Sequence, residues 1–332
     1  MRYVLGLAPV AAFLGALVLL DSYKLVRLAA VLAVVACGMA LALAAYIANG
    51  YLLGVLPIGF EAYTRYVSPV VEEALKALVI VTLLRTHRLG FLVDAAIVGF
   101  AAGTGFAMVE NLFYVGLAPD APLGMWLVRG FGTAIMHGGT TSIFAVMAMA
   151  LLERARGFGA LVVLPGFAIA VALHSAFNHF FFSPIASTAG IAIVLPLLAS
   201  FIFARSEAAV GSWLGKGFDA DAEMLALIES GRFPDSPIGR YLAELRAKFQ
   251  GPVVADLLCY LRLYTELALR AKGILMMREN GFEVPVDEAT REKFTEMKYL
   301  EKSIGPTGLL ALQPMLHMSH KELWQLYMLG KR

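Results

Sequence analysis

Over the first two thirds of the chain, apolar residues fall in long, nearly uninterrupted runs. After that the pattern changes. Seven runs read as membrane spans, at about 4–20, 26–48, 68–84, 92–115, 125–151, 158–182 and 186–204; a helical span needs roughly 20 mainly apolar residues. The fifth run exceeds that length, so part of it is expected among the headgroups, where Trp126 and Arg129 suit the interface. Residues 49–67, with Pro57, Gly59, Glu61 and Arg65, read as a loop or a surface helix. The first run is long for a signal-peptide core, and Asp21-Ser22-Tyr23 is unlike a small-residue cleavage site, so a retained helix is expected. In 238–246 and 253–264 apolar positions recur at three and four, the spacing of packed amphipathic helices. The fold class that follows is all-α. A polytopic membrane bundle of about seven spans occupies residues 1–205, and a soluble helical module occupies 206–332.

Composition sharpens that division. Hydrophobic residues make up 59% of the chain and the mean hydropathy is +0.74, against roughly 45–50% apolar in ordinary soluble domains. Residues 1–205 carry 8 acidic and 11 basic side chains, and 206–332 carry the remaining 17 and 16. A net charge of +2 makes no case for nucleic-acid binding. Two cysteines, Cys37 and Cys259, suggest neither a disulfide framework nor a zinc knuckle. Lys24 and Arg27, Arg85 and Arg88, Arg154 and Arg156, and Arg205 follow alternate spans and so fall on one side. By the bias of basic loops toward the cytosol, the N-terminus is expected outside and the C-terminal module inside.

Against this apolar background a few polar residues stand out. Glu72, Glu73 and Lys76 open the third run, Glu110 and Asn111 lie in the fourth, His137 in the fifth, and His174 and Asn178 in the sixth. Ionisable groups in spans are costly unless paired or solvated. At ~1.5 Å per helical residue, Glu72, Glu110, His137 and His174 lie roughly 6, 8, 11 and 12 Å from the outer ends of their spans. Four helices therefore present polar groups at one depth. Glu72 and Glu73 point about 100° apart with Lys76 between them, so one carboxylate can pair with the lysine while the other turns into a cavity. Gly99 and Gly103 have the spacing that lets helices approach closely, and Phe106 shares a face with Glu110. His179 suits the interface. His317 and His320 stand at i, i+3, more often an exposed pair than a metal bridge.

In order over residues 68–182, these motifs resemble the PrsW family of multi-span bacterial intramembrane proteases: Glu72-Glu73-x-x-Lys76, Gly103-x-Gly105, Phe106-x-x-x-Glu110-Asn111, the His137 helix and His174-x-x-x-Asn178. That family is related in motif layout to type II CAAX prenyl endopeptidases and bacteriocin-processing proteases. The resemblance implies peptide-bond hydrolysis in membrane-associated protein or peptide substrates, typically anti-sigma factors, in a bacterial cytoplasmic membrane. It implies that Glu72 activates water while His174 and Asn178 polarise the scissile carbonyl and stabilise its oxyanion. Glu110 stands where the CAAX relatives carry a histidine. The family is classed as metalloprotease-like, whereas a metal-free glutamate mechanism is argued for the CAAX relatives.

Residue chemistry accommodates both routes. Glu110, His137 and His174 would make a His₂Glu set with an open fourth position, suited to catalytic zinc, with Glu72 or Glu73 as base. Without metal, Glu72 activates water, and the imidazoles and the Asn178 amide form the oxyanion site. Lys76, Phe106 and Asn111 are expected to support the site. Two other readings use the same polar cluster: a non-catalytic scaffold or receptor that binds partner helices, and an ion-coupled transporter. Against the transporter, the charged segments show no inverted repeat.

Overall fold

The computed structural model describes residues 1–155, 157–282, 284–316 and 320–330. Arg156 and His317 thus lie outside the described residues. Among those described there is no strand, and six helices are long and apolar enough to cross a membrane. The chain divides into two compact units, 1–207 and 208–332.

The first unit begins with α1 (Arg2–Leu20) and α2 (Leu28–Val55). The short α3 (Phe60–Ala62) and a π-helical turn (Tyr63–Val67) lead into α4 (Ser68–Arg85). The third predicted span is this α4, and it misses the apolarity of the other six because it carries Glu72, Glu73 and Lys76. Next come α5 (Leu92–Leu117), the short α6 (Leu123–Leu127), a second π-helical turn (Val128–Thr133), α7 (Ala134–Leu152) and α8 (Ala160–His179). The last helix of the series is α9 (Pro184–Glu229).

Helix α5 is the axis of the bundle. It packs against α1, α2, α4 and α7, while α8 packs on α7 and α4. Every residue from Val93 to Ala107 is buried, so this helix is apolar all round for reasons of packing. Its start is set by Asp94, whose carboxylate accepts the amides of Gly90 (2.7 Å) and Phe91 (3.0 Å). Small residues let its neighbours come close. A Cβ at Gly103 would collide with the backbone of His137 and Gly138 on α7, and one at Gly105 with the Val35 carbonyl on α2.

Two expectations are settled here. Of the two readings of residues 49–67, the helical one holds for most of the segment: α2 runs through Asn49 to Val55, and α3 and the π-turn cover 60–67. Trp126 does not face the interface. It is buried beside Gly6 of α1.

The second unit has its own core, built on α11 (Gly251–Glu279) with α10 (Pro237–Glu244), α12 (Glu288–Leu312) and α13 (His320–Gly330). Helix α12 is broken at Gly305, whose φ of +65° precedes Pro306. Lys272 is buried and reaches Asp221 at 2.6 Å.

Replacing Gly103 by Ala forces α5 and α7 apart, an overpacking cost of about 1–3 kcal/mol. Thermal unfolding of the purified chain in detergent should show a clear loss. Gly15→Ala, where a Cβ meets nothing within 4 Å, should leave the transition unchanged or raise it.

Candidate functional site

The polar residues of α4, α5, α7 and α8 meet in one place. At the centre is Glu73, 2% exposed. Its Oε1 accepts from Lys76 Nζ at 2.7 Å and from Thr140 Oγ1 at 3.1 Å, and it lies 2.9 Å from His174 Nδ1. One carboxylate oxygen thus joins α4, α7 and α8. Lys76, fully buried, also reaches His137 Nδ1 at 2.9 Å and sits over the Phe106 ring at 4.5 Å. An ammonium has donors only. With that lysine charged, His137 Nδ1 accepts, and Nε2 carries the proton toward Glu110.

Glu72 turns away from the lysine and into the cleft. Its Oε1 accepts from Ser68 Oγ at 2.6 Å and Asn49 Nδ2 at 3.3 Å. Asn49 is itself fixed, donating to Ser68 Oγ and accepting from the Tyr63 hydroxyl at 2.7 Å. The other oxygen, Oε2, faces His174 Nε2 at 3.9 Å. Glu110 closes the other side. Its Oε2 is 2.7 Å from His137 Nε2, and its Oε1 accepts from Arg129 Nη2 at 3.0 Å. The His137 and His174 rings meet edge to face, with centroids 4.8 Å apart.

Several predicted residues take particular places in this arrangement. Asn111 is buried, donating to the Gly6 carbonyl at 2.7 Å and accepting from Arg129 Nε at 2.9 Å. Asn178 donates to the Thr64 carbonyl at 3.0 Å, and Ser175 to the Arg65 carbonyl at 2.6 Å, so the end of α8 is tied to the first π-turn. His179 sits edge-on to Tyr66 and stacks on Phe181. Asn49, Tyr63, Ser68, Arg129 and Thr140 were not singled out as site residues by sequence reasoning. Both π-turns deliver side chains here, and π-turns concentrate at functional sites; sequence spacing carries no mark of them.

The donor set suits a metal. Ligand atoms of Glu72, His137 and His174 all lie within 4.8 Å of one another. This trio shares two members with the expected set; its carboxylate is Glu72, while Glu110 pairs with Arg129 and lies 2.7 Å from His137 Nε2. His174 has Glu73 behind Nδ1 and leaves Nε2 toward Glu72, the usual carboxylate backing of a ligating histidine. His137 lies between Lys76 and Glu110, so ligation would exchange one of those two hydrogen bonds.

The family model described as PrsW family intramembrane metalloprotease matches residues 26–204. No curated protein and no solved structure matches the chain. The matched stretch spans more than half of the sequence and contains every residue of the cluster, and a chain built this way belongs to the PrsW family of intramembrane metalloproteases.

Proposed function

We propose that the protease uses a divalent metal, zinc by its donor set, held by Glu72, His137 and His174, and that Glu110 is the proton acceptor. The observation that carries this reading is the mutual reach of those three ligand groups, from three different helices. Two imidazoles and one carboxylate leave room for a reacting group, as in catalytic rather than structural zinc sites. When bound, zinc supplies Lewis acidity that polarises the scissile carbonyl and strengthens water as a nucleophile.

The chain's own residues do the rest. Glu73 holds the His174 ring through Nδ1, and Lys76 neutralises Glu73. Ser68 and Asn49 fix Glu72 through Oε1. Glu110 has the most open carboxylate of the three, at 26% side-chain exposure against 14% for Glu72 and 2% for Glu73. A proton acceptor must exchange with water, and that favours Glu110. Asn178 ties the end of α8 to the first π-turn through the Thr64 carbonyl.

The substrate is a peptide bond in a membrane-anchored protein, cut in the outer half of the bilayer, of the anti-sigma-factor type. The enzyme sits in a bacterial cytoplasmic membrane with its N-terminus outside and residues 206–332 cytosolic. Lys24, Arg27, Arg85, Arg88, Arg154 and Arg205 on one side support that orientation.

Three measurements check this reading. A single-span reporter helix, with fluorophore and quencher flanking its outer half, should be cleaved by the wild type. Glu72→Gln, His137→Ala and His174→Ala should each lose both cleavage and bound metal. Glu110→Gln should lose cleavage by roughly 100-fold or more and keep its metal; metal lost from Glu110→Gln but kept in Glu72→Gln would reverse the two roles. Chelation should abolish cleavage and zinc should restore it, whereas activity that survives exhaustive chelation points to the metal-free route. Finally, Cys259 is exposed. A membrane-impermeant maleimide should label it in inside-out vesicles and not in intact cells.

A further inference from the structure

Arg129 stands outside the motifs, and by sequence it belongs at the headgroups. The π-turn Val128–Thr133 gives it another place. Its guanidinium lies 3.7 Å from the centroid of the Tyr114 ring, and the side chain is only 12% exposed. Nε donates to Asn111 Oδ1 at 2.9 Å and Nη2 donates to Glu110 Oε1 at 3.0 Å. Asn111 is anchored in turn, donating to the Gly6 carbonyl at 2.7 Å and toward the Arg129 carbonyl at 3.4 Å. The cation is therefore held from α1, α5 and its own π-turn, with its plane set by a stacked ring. A flexible counter-ion would need none of this.

The consequence falls on Glu110. One oxygen is committed to Arg129 while the other stays 2.7 Å from His137 Nε2. A planar guanidinium whose Nε is held by Asn111 presents Nη2 to Glu110 Oε1 in a fixed direction, whereas an ammonium supplies the charge alone. We propose that Arg129 is a positioning residue for the hydrolysis: it anchors Oε1 of Glu110 so that Oε2 stays turned toward His137 and the reacting centre. This rests on the reading of Glu110 as the proton acceptor.

The test uses the full chain in detergent with the same single-span reporter. Arg129→Ala should lower kcat roughly 10- to 100-fold, the usual effect of losing an outer-shell partner, with KM little changed and metal content unaltered. Free guanidinium ion should restore part of the loss, and Arg129→Lys should fall between the wild type and the alanine variant. An Arg129→Ala enzyme with undiminished kcat overturns the proposal. So does a loss that neither guanidinium nor lysine recovers, because a packing role alone would give that result. Where the alanine variant does not fold, Arg129→Lys carries the test: reduced kcat at constant KM supports the proposal, and wild-type kcat overturns it. An active Glu110→Gln enzyme would remove the Glu110 reading and this inference together, whereas an inactive one beside a fully active Arg129→Ala removes this inference alone.

Discussion

A single carboxylate oxygen, Glu73 Oε1, ties three helices together in the least forgiving solvent a protein meets. Lys76 supplies its counter-charge from the same helix, Thr140 reaches it from α7, and His174 from α8. Breaking a buried ion pair by removing one partner costs roughly 3–5 kcal/mol, since the charge left behind has no compensation. The bundle can therefore bring α4, α7 and α8 together in few other ways. Everything nearer the cleft inherits its position from that oxygen: His174 through its Nδ1, and His137 through the lysine. The close approach of α5 to α7 at Gly103 completes the frame.

Much of this was visible in the sequence. The hydrophobic runs located the helices, and charged residues at one depth on four runs implied a shared pocket. What they left open was facing. Glu72 and Glu73 differ by about 100° in direction, and which of them takes the lysine depends on Thr140 and His174, residues contributed by other helices. Glu110 was the expected carboxylate ligand and Glu72 the expected base, and the pairing of Glu110 with Arg129 could not be foreseen without the π-turn that carries the arginine. Asn49 had no signal at all, being an ordinary polar residue near the end of an apolar run. The third run shows the opposite limit. Its charges made it conspicuous as a site and at the same time unusual as a span, so the polar residues that reveal the chemistry blur the membrane boundary.

Charge balance explains why such a pocket favours a cation. Glu72, Glu73 and Glu110 face Lys76 and Arg129, so the carboxylates outnumber the fixed cations by one. In an environment of low dielectric, an uncompensated charge is far more costly than in water. A bound cation offsets that excess, and in the proposed mechanism Glu72, His137 and His174 take it up. In the proposed mechanism, exposure separates the three carboxylates by task. Glu73, nearly closed to solvent and with its oxygen shared among three partners, can only hold structure. Glu72, half fixed by Ser68 and Asn49, offers its remaining oxygen toward His174. Glu110, the most open, retains the exchange with water that hydrolysis requires.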